Sequence, residues 1–110
     1  MLIICPCTGN TLAKMALGIT DTPVTMAAKA HMRRDGQMLL ALASNDAMSQ
    51  NLKNIATLLQ RKSVYFVPML EDAPISKPHS LVAEFELMDE CIDLLLDGKQ
   101  MRPVFLSEKK

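Results

Sequence analysis

The sequence predicts an α/β domain organised on a parallel sheet, with three main strands and flanking helices. Three continuous apolar runs support this: Leu2–Cys5, Met38–Ala43 and Val64–Val67, each of strand length and each followed by Pro or a polar loop. Between them, apolar residues recur at the three- and four-residue spacing of an amphipathic helix. Such alternation implies right-handed crossovers, which bring the loops at the strand C-terminal ends to one common edge.

Leu2–Cys5 is bounded by Pro6, and its unbroken apolar character predicts burial on both faces. A doubly buried strand that starts at residue 2 suggests the later part of a larger fold, or a chain completed by a partner. Thr8-Gly9-Asn10-Thr11 then turns the chain and caps a helix over Leu12–Ile19, with Leu12, Met15, Ala16 and Ile19 on one stripe. Asp21-Thr22-Pro23 starts a second helix, with capping side chains before Pro at the first helical position. It spans Val24–Arg34, offers Ala27, Ala28 and Ala30 for close packing, and stops at Asp35-Gly36; His31 is expected partly exposed near its end. After the second strand, Ser44-Asn45-Asp46 makes a second polar loop. A helix follows to about Gln60, burying Met48, Leu52, Ile55, Ala56 and Leu59.

Pro68 closes the third strand, and Glu71–Ser80, with Pro74 and Pro78, reads as a loop. Ser80 is expected to cap a last helix over Leu81–Asp97 that turns Val82, Phe85, Met88, Ile92 and Leu95 inward and stops at Gly98. Met101–Leu106 is apolar enough to pack back as an edge strand. Residues 1–106 read as a single, partial α/β domain and 107–110 as a frayed tail.

At 110 residues, 49% apolar and 22% charged, the chain has the balance of one globular domain with a modest core. Twelve basic and twelve acidic residues cancel, which argues against nucleic acid or a membrane surface as partner. Aromatics at 4% without Trp leave no base-stacking platform. No run approaches the ~20 apolar residues of a membrane helix. Nine Met residues suit an irregular core or an adaptable subunit contact, and they motivate the expectation of a homo-oligomer. Cys5, Cys7 and Cys91 are odd in number, and Cys5-Pro6-Cys7 is not a zinc spacing. Two apart on a strand, the first two are expected on one face. With no secretory pattern, the reading is a reduced, cytoplasmic protein without a metal site.

Thr8-Gly9-Asn10-Thr11 and Ser44-Asn45-Asp46 follow consecutive strands, so both fall on the ligand-binding edge. The first also opens a helix, whose free N–H groups favour an anionic or carbonyl-bearing group. Both Asn residues either line a shared crevice or only cap helices; the pattern allows both. Neither loop carries His or a Gly-rich phosphate cradle. Asp46 reads as a capping carboxylate, and Cys7 as a buried thiol or, beside a helix N-terminus, a reactive one. No nucleophile–base pair emerges, and catalytic residues stay unassigned.

Pro6-Cys7-Thr8-Gly9-Asn10-Thr11, with Ala13-Lys14 and Gly18-Ile19-Thr20-Asp21, resembles the P-A-S-A-N-T…AK…GIAD signature of flavin-dependent cysteine decarboxylase-like flavoproteins. Ala41-Leu42-Ala43-Ser44-Asn45-Asp46-Ala47-Met48 resembles that family's A-P-A-M-N-x-x-M-W motif. Asn45 and Met48 are kept, while Leu42, Ser44 and Ser49 replace its Pro, the Met before its Asn and its Trp, which weighs against a cysteine-type decarboxylase.

A second resemblance is more specific. Thr20–Ala30, Asn45-Asp46-Ala47, Tyr65-Phe66-Val67-Pro68, Lys77–Ala83 and Gly98–Val104 resemble the B subunits of dipicolinate synthases, with His79 where that pattern suggests Asn. This resemblance spans essentially the whole chain and only the C-terminal part of such a subunit. It implies a Rossmann-like flavoprotein fold and a role in oxidising dihydrodipicolinate to dipicolinate during sporulation. It further implies a partner A subunit resembling a nicotinamide-dependent dehydrogenase, where NADP is expected. Thr8, Gly9, Asn10 and Thr11 would line a flavin crevice, with Ser44 and Asn45 opposite. FMN is expected to bind weakly or not at all to this chain alone. The alternatives are an FMN-binding decarboxylase relative and a ligand-free interaction module of the same fold.

Overall fold

The second strand, β2 (Met38–Ser44), forms the middle of a five-stranded sheet. It pairs in parallel with β1 (Leu2–Thr8) along one side. Along its other side it pairs in parallel with β3 (Val64–Phe66) and then, nearer its end, antiparallel with β5 (Leu81–Ala83). The short β4 (Met69–Leu70) pairs antiparallel with β5. This computed structural model describes residues 1–107. The three main strands are parallel as the sequence predicts, and the two short antiparallel strands extend them into a mixed sheet.

Successive side chains of a strand point to opposite faces, and β2 uses both. Met38, Leu40 and Leu42 join a core with Leu12 and Met15 of α1 (Gly9–Leu17), Ala28 of α2 (Pro23–Arg33), and Ile55 and Leu58 of α3 (Leu52–Leu59). Leu39 and Ala41 join a second core with Val67, Ala83, and Cys91 and Leu95 of α4 (Met88–Leu96). Three helices therefore cover one face of the sheet and α4 the other. The apolar run of β2 is buried on both sides, as its sequence predicts.

β1 behaves differently from the expectation. It is an edge strand, and while Ile4 and Cys7 are buried, Ile3 stands 41% exposed. It also continues past Pro6 to Thr8, because an edge strand tolerates a residue without N–H where the ladder is irregular. Its register with β2 shifts between Ile4 and Cys7. That shift places Cys5 outside and Cys7 inside, so the two do not share a face.

Three helix assignments also change. On α1, Leu12 and Met15 are buried but Ile19, beyond its C-terminal Gly18, is exposed. On α2, Ala28 packs inward while Ala27 and Ala30 face out. The buried stripe of α3 is Asn54, Ile55 and Leu58; Met48, Leu52 and Ala56 are exposed. Residues 45–51 form a turn ahead of α3, so the helix starts later than predicted and is rotated.

The largest difference lies at Leu81–Asp97. No long helix forms there, and Ser80 caps nothing: Leu81–Ala83 is β5, Phe85–Leu87 one 3-10 turn, and α4 starts at Met88. The free edge at the end of β2 captures Leu-Val-Ala in antiparallel pairing, which helical spacing alone does not reveal. Phe85, expected inside, is 41% exposed, whereas Leu95 is fully buried.

The chain then returns to the sheet. Gln100 Oε1 accepts from Phe66 N (2.8 Å) and its Nε2 donates to Phe66 O (2.6 Å), so one amide side chain pairs with the edge of β3 as a strand would. Met69 N donates to Val104 O and Leu106 N to Met69 O, each at 2.7 Å, tying down the segment expected to be an edge strand as a single bridge. Of the tail, residues 108–110 lie outside the described residues. Met15, Met38 and Met69 are core residues, and Met26 and Met48 are exposed. Among the described residues, no helix is long and apolar enough to cross a membrane.

Candidate functional site: a polar crevice between two loops

β1 ends at Thr8, which is also the N-cap of α1. Thr8 Oγ1 accepts from Thr11 N (3.3 Å), and the two hydroxyls lie 3.2 Å apart, so each threonine serves the other. β2 ends alongside at Ser44, and the turn that follows folds back over the start of α1. Its backbone hinges on Asp46, whose carbonyl accepts from Ser49 N and Asn51 N (3.2 Å each).

The side chain of Asp46 is the hub of the site. Its Oδ1 accepts from Ser44 Oγ at 2.7 Å and from Asn51 Nδ2 at 2.9 Å. Asn51 is oriented in turn by Asn54, whose Nδ2 donates to Asn51 Oδ1 at 2.9 Å. Ser44, Asn51 and Asn54 are buried, so these donors are held against the core and are not free to swing away. The bonds from Ser44 and then Asn51 hold the Asp46 carboxyl below its ordinary pKa, and it is ionised at neutral pH. Asp46 is therefore not the helix cap the sequence suggests: α3 begins at Leu52 without a side-chain cap.

Gly9 is the contact point between the two loops. A β-carbon there would stand 2.7 Å from Ser44 Oγ, 2.8 Å from Asn51 Nδ2 and 3.2 Å from Asp46 Oδ1. Only glycine lets the first turn of α1 approach this network so closely.

An open crevice of about 650 Å³ lies over this contact, bordered by Gly9, Asn10, Asp46, Asn51, Lys53 and Asn54. Of the residues proposed from sequence, Gly9 and Asn10 line it and Ser44 lies beneath, bonded to Asp46. Thr8 and Thr11 form the helix cap instead of the wall, and Asn45 is exposed at the outside of the turn. Sequence reasoning misses Asn51 and Asn54: a buried asparagine inside a helical stripe looks like a solvent-facing residue until its donors are traced. The wall is chemically specific. Among the described residues, it offers carboxamides that donate or accept, one fixed carboxylate and one ammonium, Lys53.

Cys7 sits beneath the same edge and is inert. Burial pushes its thiol up to about 12, which outweighs the helix N-terminus nearby and removes the option of a reactive thiolate. Among the described residues, no group of three or more His, Cys, Asp or Glu side chains is placed to hold a metal ion.

A sheet built on three parallel strands, with helices on both faces and a polar crevice at adjoining strand ends, is the arrangement of the Rossmann-like α/β class. The Flavoprotein family pattern matches residues 1–96, and the chain belongs to that family. It is 37% identical over 105 residues to the B subunit of dipicolinate synthase from Bacillus subtilis, covering 96% of this chain and 52% of that protein. Its structure superposes on that of the dipicolinate synthase B subunit from Bacillus halodurans with a TM-score of 0.92 and 42% identity, over 98% of this chain and 55% of the other. It is 26% identical over 96 residues to the mitochondrial flavin prenyltransferase PAD1 of Saccharomyces cerevisiae, covering 87% of this chain and 38% of that protein. The chain thus spans about half the length of its dipicolinate synthase relatives.

Proposed function

We propose that this chain contributes one wall of a flavin-type pocket to a dipicolinate synthase of the B type, and that it is not catalytic alone. The similarity to two B subunits along nearly its whole length carries this reading. In this proposal a cytoplasmic complex, active in sporulation, oxidises dihydrodipicolinate to dipicolinate. The substrate loses a hydride and a proton; the hydride goes to NADP on a dehydrogenase-like A subunit and the proton to solvent.

The crevice fits the polar edge of a flavin ring. Asn10, Asn51 and Asn54 present amide donors and acceptors, and Asp46 accepts from a ring N–H. It does not suit the phosphate of FMN, because an ionised carboxylate lines it and, among the described residues, Lys53 is the one basic side chain on its wall. A flavin bound here would supply redox or group-transfer chemistry. The residues of this chain would orient the ring and keep its edge hydrogen-bonded, while phosphate binding falls to groups elsewhere.

The test is reconstitution. The chain is mixed with a dehydrogenase-like A subunit, and complex formation, oligomeric state and NADPH production from dihydrodipicolinate are measured. Co-purification, with FMN binding weak or absent for the chain alone and activity reduced by Asn10→Ala, is the expected result. A chain purified with a yellow chromophore overturns the weak-flavin reading. Asn10→Ala with full complex activity removes the ligand role of the first loop. Failure to associate favours the interaction module.

A further inference from the structure

At the opposite end of α1, away from the polar crevice, lies a smaller pocket of about 250 Å³. Met15, Ile19 and Met32 form apolar parts of its wall, and Lys29, Arg33 and Arg61 bring three cations to it. Lys29 and Arg33 are one helical turn apart on α2, and Arg61 approaches from the segment after α3. Like charges at this spacing repel weakly at exposed positions, and a third cation from another element adds to a repulsion that an anion between them would relieve. Among the described residues, no carboxylate lines the pocket. Of the acids near these residues in sequence, Asp21 is taken up by Lys14 at 2.9 Å, and Asp35, two residues beyond Arg33, does not line the pocket. The negative end of α2 accounts for Lys29 and Arg33, but not for Arg61 on another element or for the apolar wall.

We propose that this pocket is a second ligand site, for a small organic anion: an apolar body of about one ring against the Met and Ile side chains, with a carboxylate between the three cations. The volume is below the range that holds drug-sized ligands, which limits the occupant to a single ring or a short chain. Bidentate pairing favours a carboxylate at Arg33 or Arg61. The site is separate from the crevice, so it stands whether or not the crevice takes a flavin.

Benzoate is a suitable probe, read by NMR of the full chain labelled at its methionine methyl groups. Benzoate shifts Met15 and Met32 saturably while Met38, deep in the sheet core, stays in place. Isosteric neutral benzamide does not bind. Arg61→Gln and Lys29→Gln, both at exposed positions, each weaken benzoate binding by about tenfold. Absence of a shift at Met15 and Met32 in millimolar benzoate overturns the site. Equal binding of benzamide, or unchanged affinity in Arg61→Gln, overturns the anion role. Sulfate binding as tightly as benzoate overturns the organic class.

Discussion

Gly9 and Ser44 are so closely apposed that a β-carbon on residue 9 would stand 2.7 Å from the Ser44 hydroxyl. The groups in the way, Ser44 Oγ and Asn51 Nδ2, are short and already bonded to Asp46, so neither retreats without breaking a hydrogen bond. Gly9→Ala therefore costs about 1–3 kcal/mol, although alanine is the better helix former. The check is a denaturant titration in which the midpoint falls and the slope is kept. A midpoint that rises would show that helix propensity outweighs the contact.

Asp46 gives the network a pH dependence. Its folded pKa lies below the ordinary aspartate value, so its contribution is present above the unfolded pKa and lost as pH falls through the folded one. Asp46→Asn lowers stability at neutral pH by no more than about 0.5 kcal/mol, since the carboxylate is half-open to solvent. The gap between parent and variant closes as the parent carboxyl protonates, below about pH 4. Parallel melts at pH 7 and pH 3 measure it; a gap that widens on acidification contradicts the hydrogen-bond arrangement.

The three thiols differ in reactivity. Cys5 is exposed, whereas burial raises Cys7 to about 12, and burial followed by the Glu90 carboxylate raises Cys91 to about 11. At pH 8 a thiol reagent labels one cysteine per folded chain, and peptide mapping finds it at Cys5. Unfolding exposes all three. Rapid labelling of Cys7 in the folded protein would contradict its burial.

Phe85 and Leu95 separate the predicted long helix from the observed strand, turn and short helix. Leu95, fully buried, loses about 2–5 kcal/mol on truncation to Ala. Phe85, 41% exposed, loses about 1 kcal/mol or less. Comparable losses at both positions would restore the continuous helix over Leu81–Asp97.

The parts of the fold that sequence reveals are those where one local signal meets no competitor. Met38–Ala43 is apolar throughout, and Thr22-Pro23 carries a capping signal that the structure realises as a reciprocal Thr22–Thr25 box. Leu81–Ala83 fails because its state depends on a vacant edge at the end of β2, which lies far away in sequence. β1 fails on one face because burial depends on what covers it: α4 sits over β2 and its neighbours, not over Ile3. In the site, strand order alone brings Gly9 beside Ser44. Asn51 and Asn54 escape notice because their role rests on a donor chain ending at Asp46, and spacing carries no record of such a chain.

β2 is the shared wall of two separate cores, one closed by three helices and the other by α4. Neither core can open without stripping the same backbone on one side, and opening one leaves the other still shielding it. Amide protons of Leu39 to Leu42 therefore exchange with deuterium only through global unfolding. Those of α2, with one buried stripe, exchange through local fraying. A peptide from the middle of β2 thus reads out the stability of the whole domain.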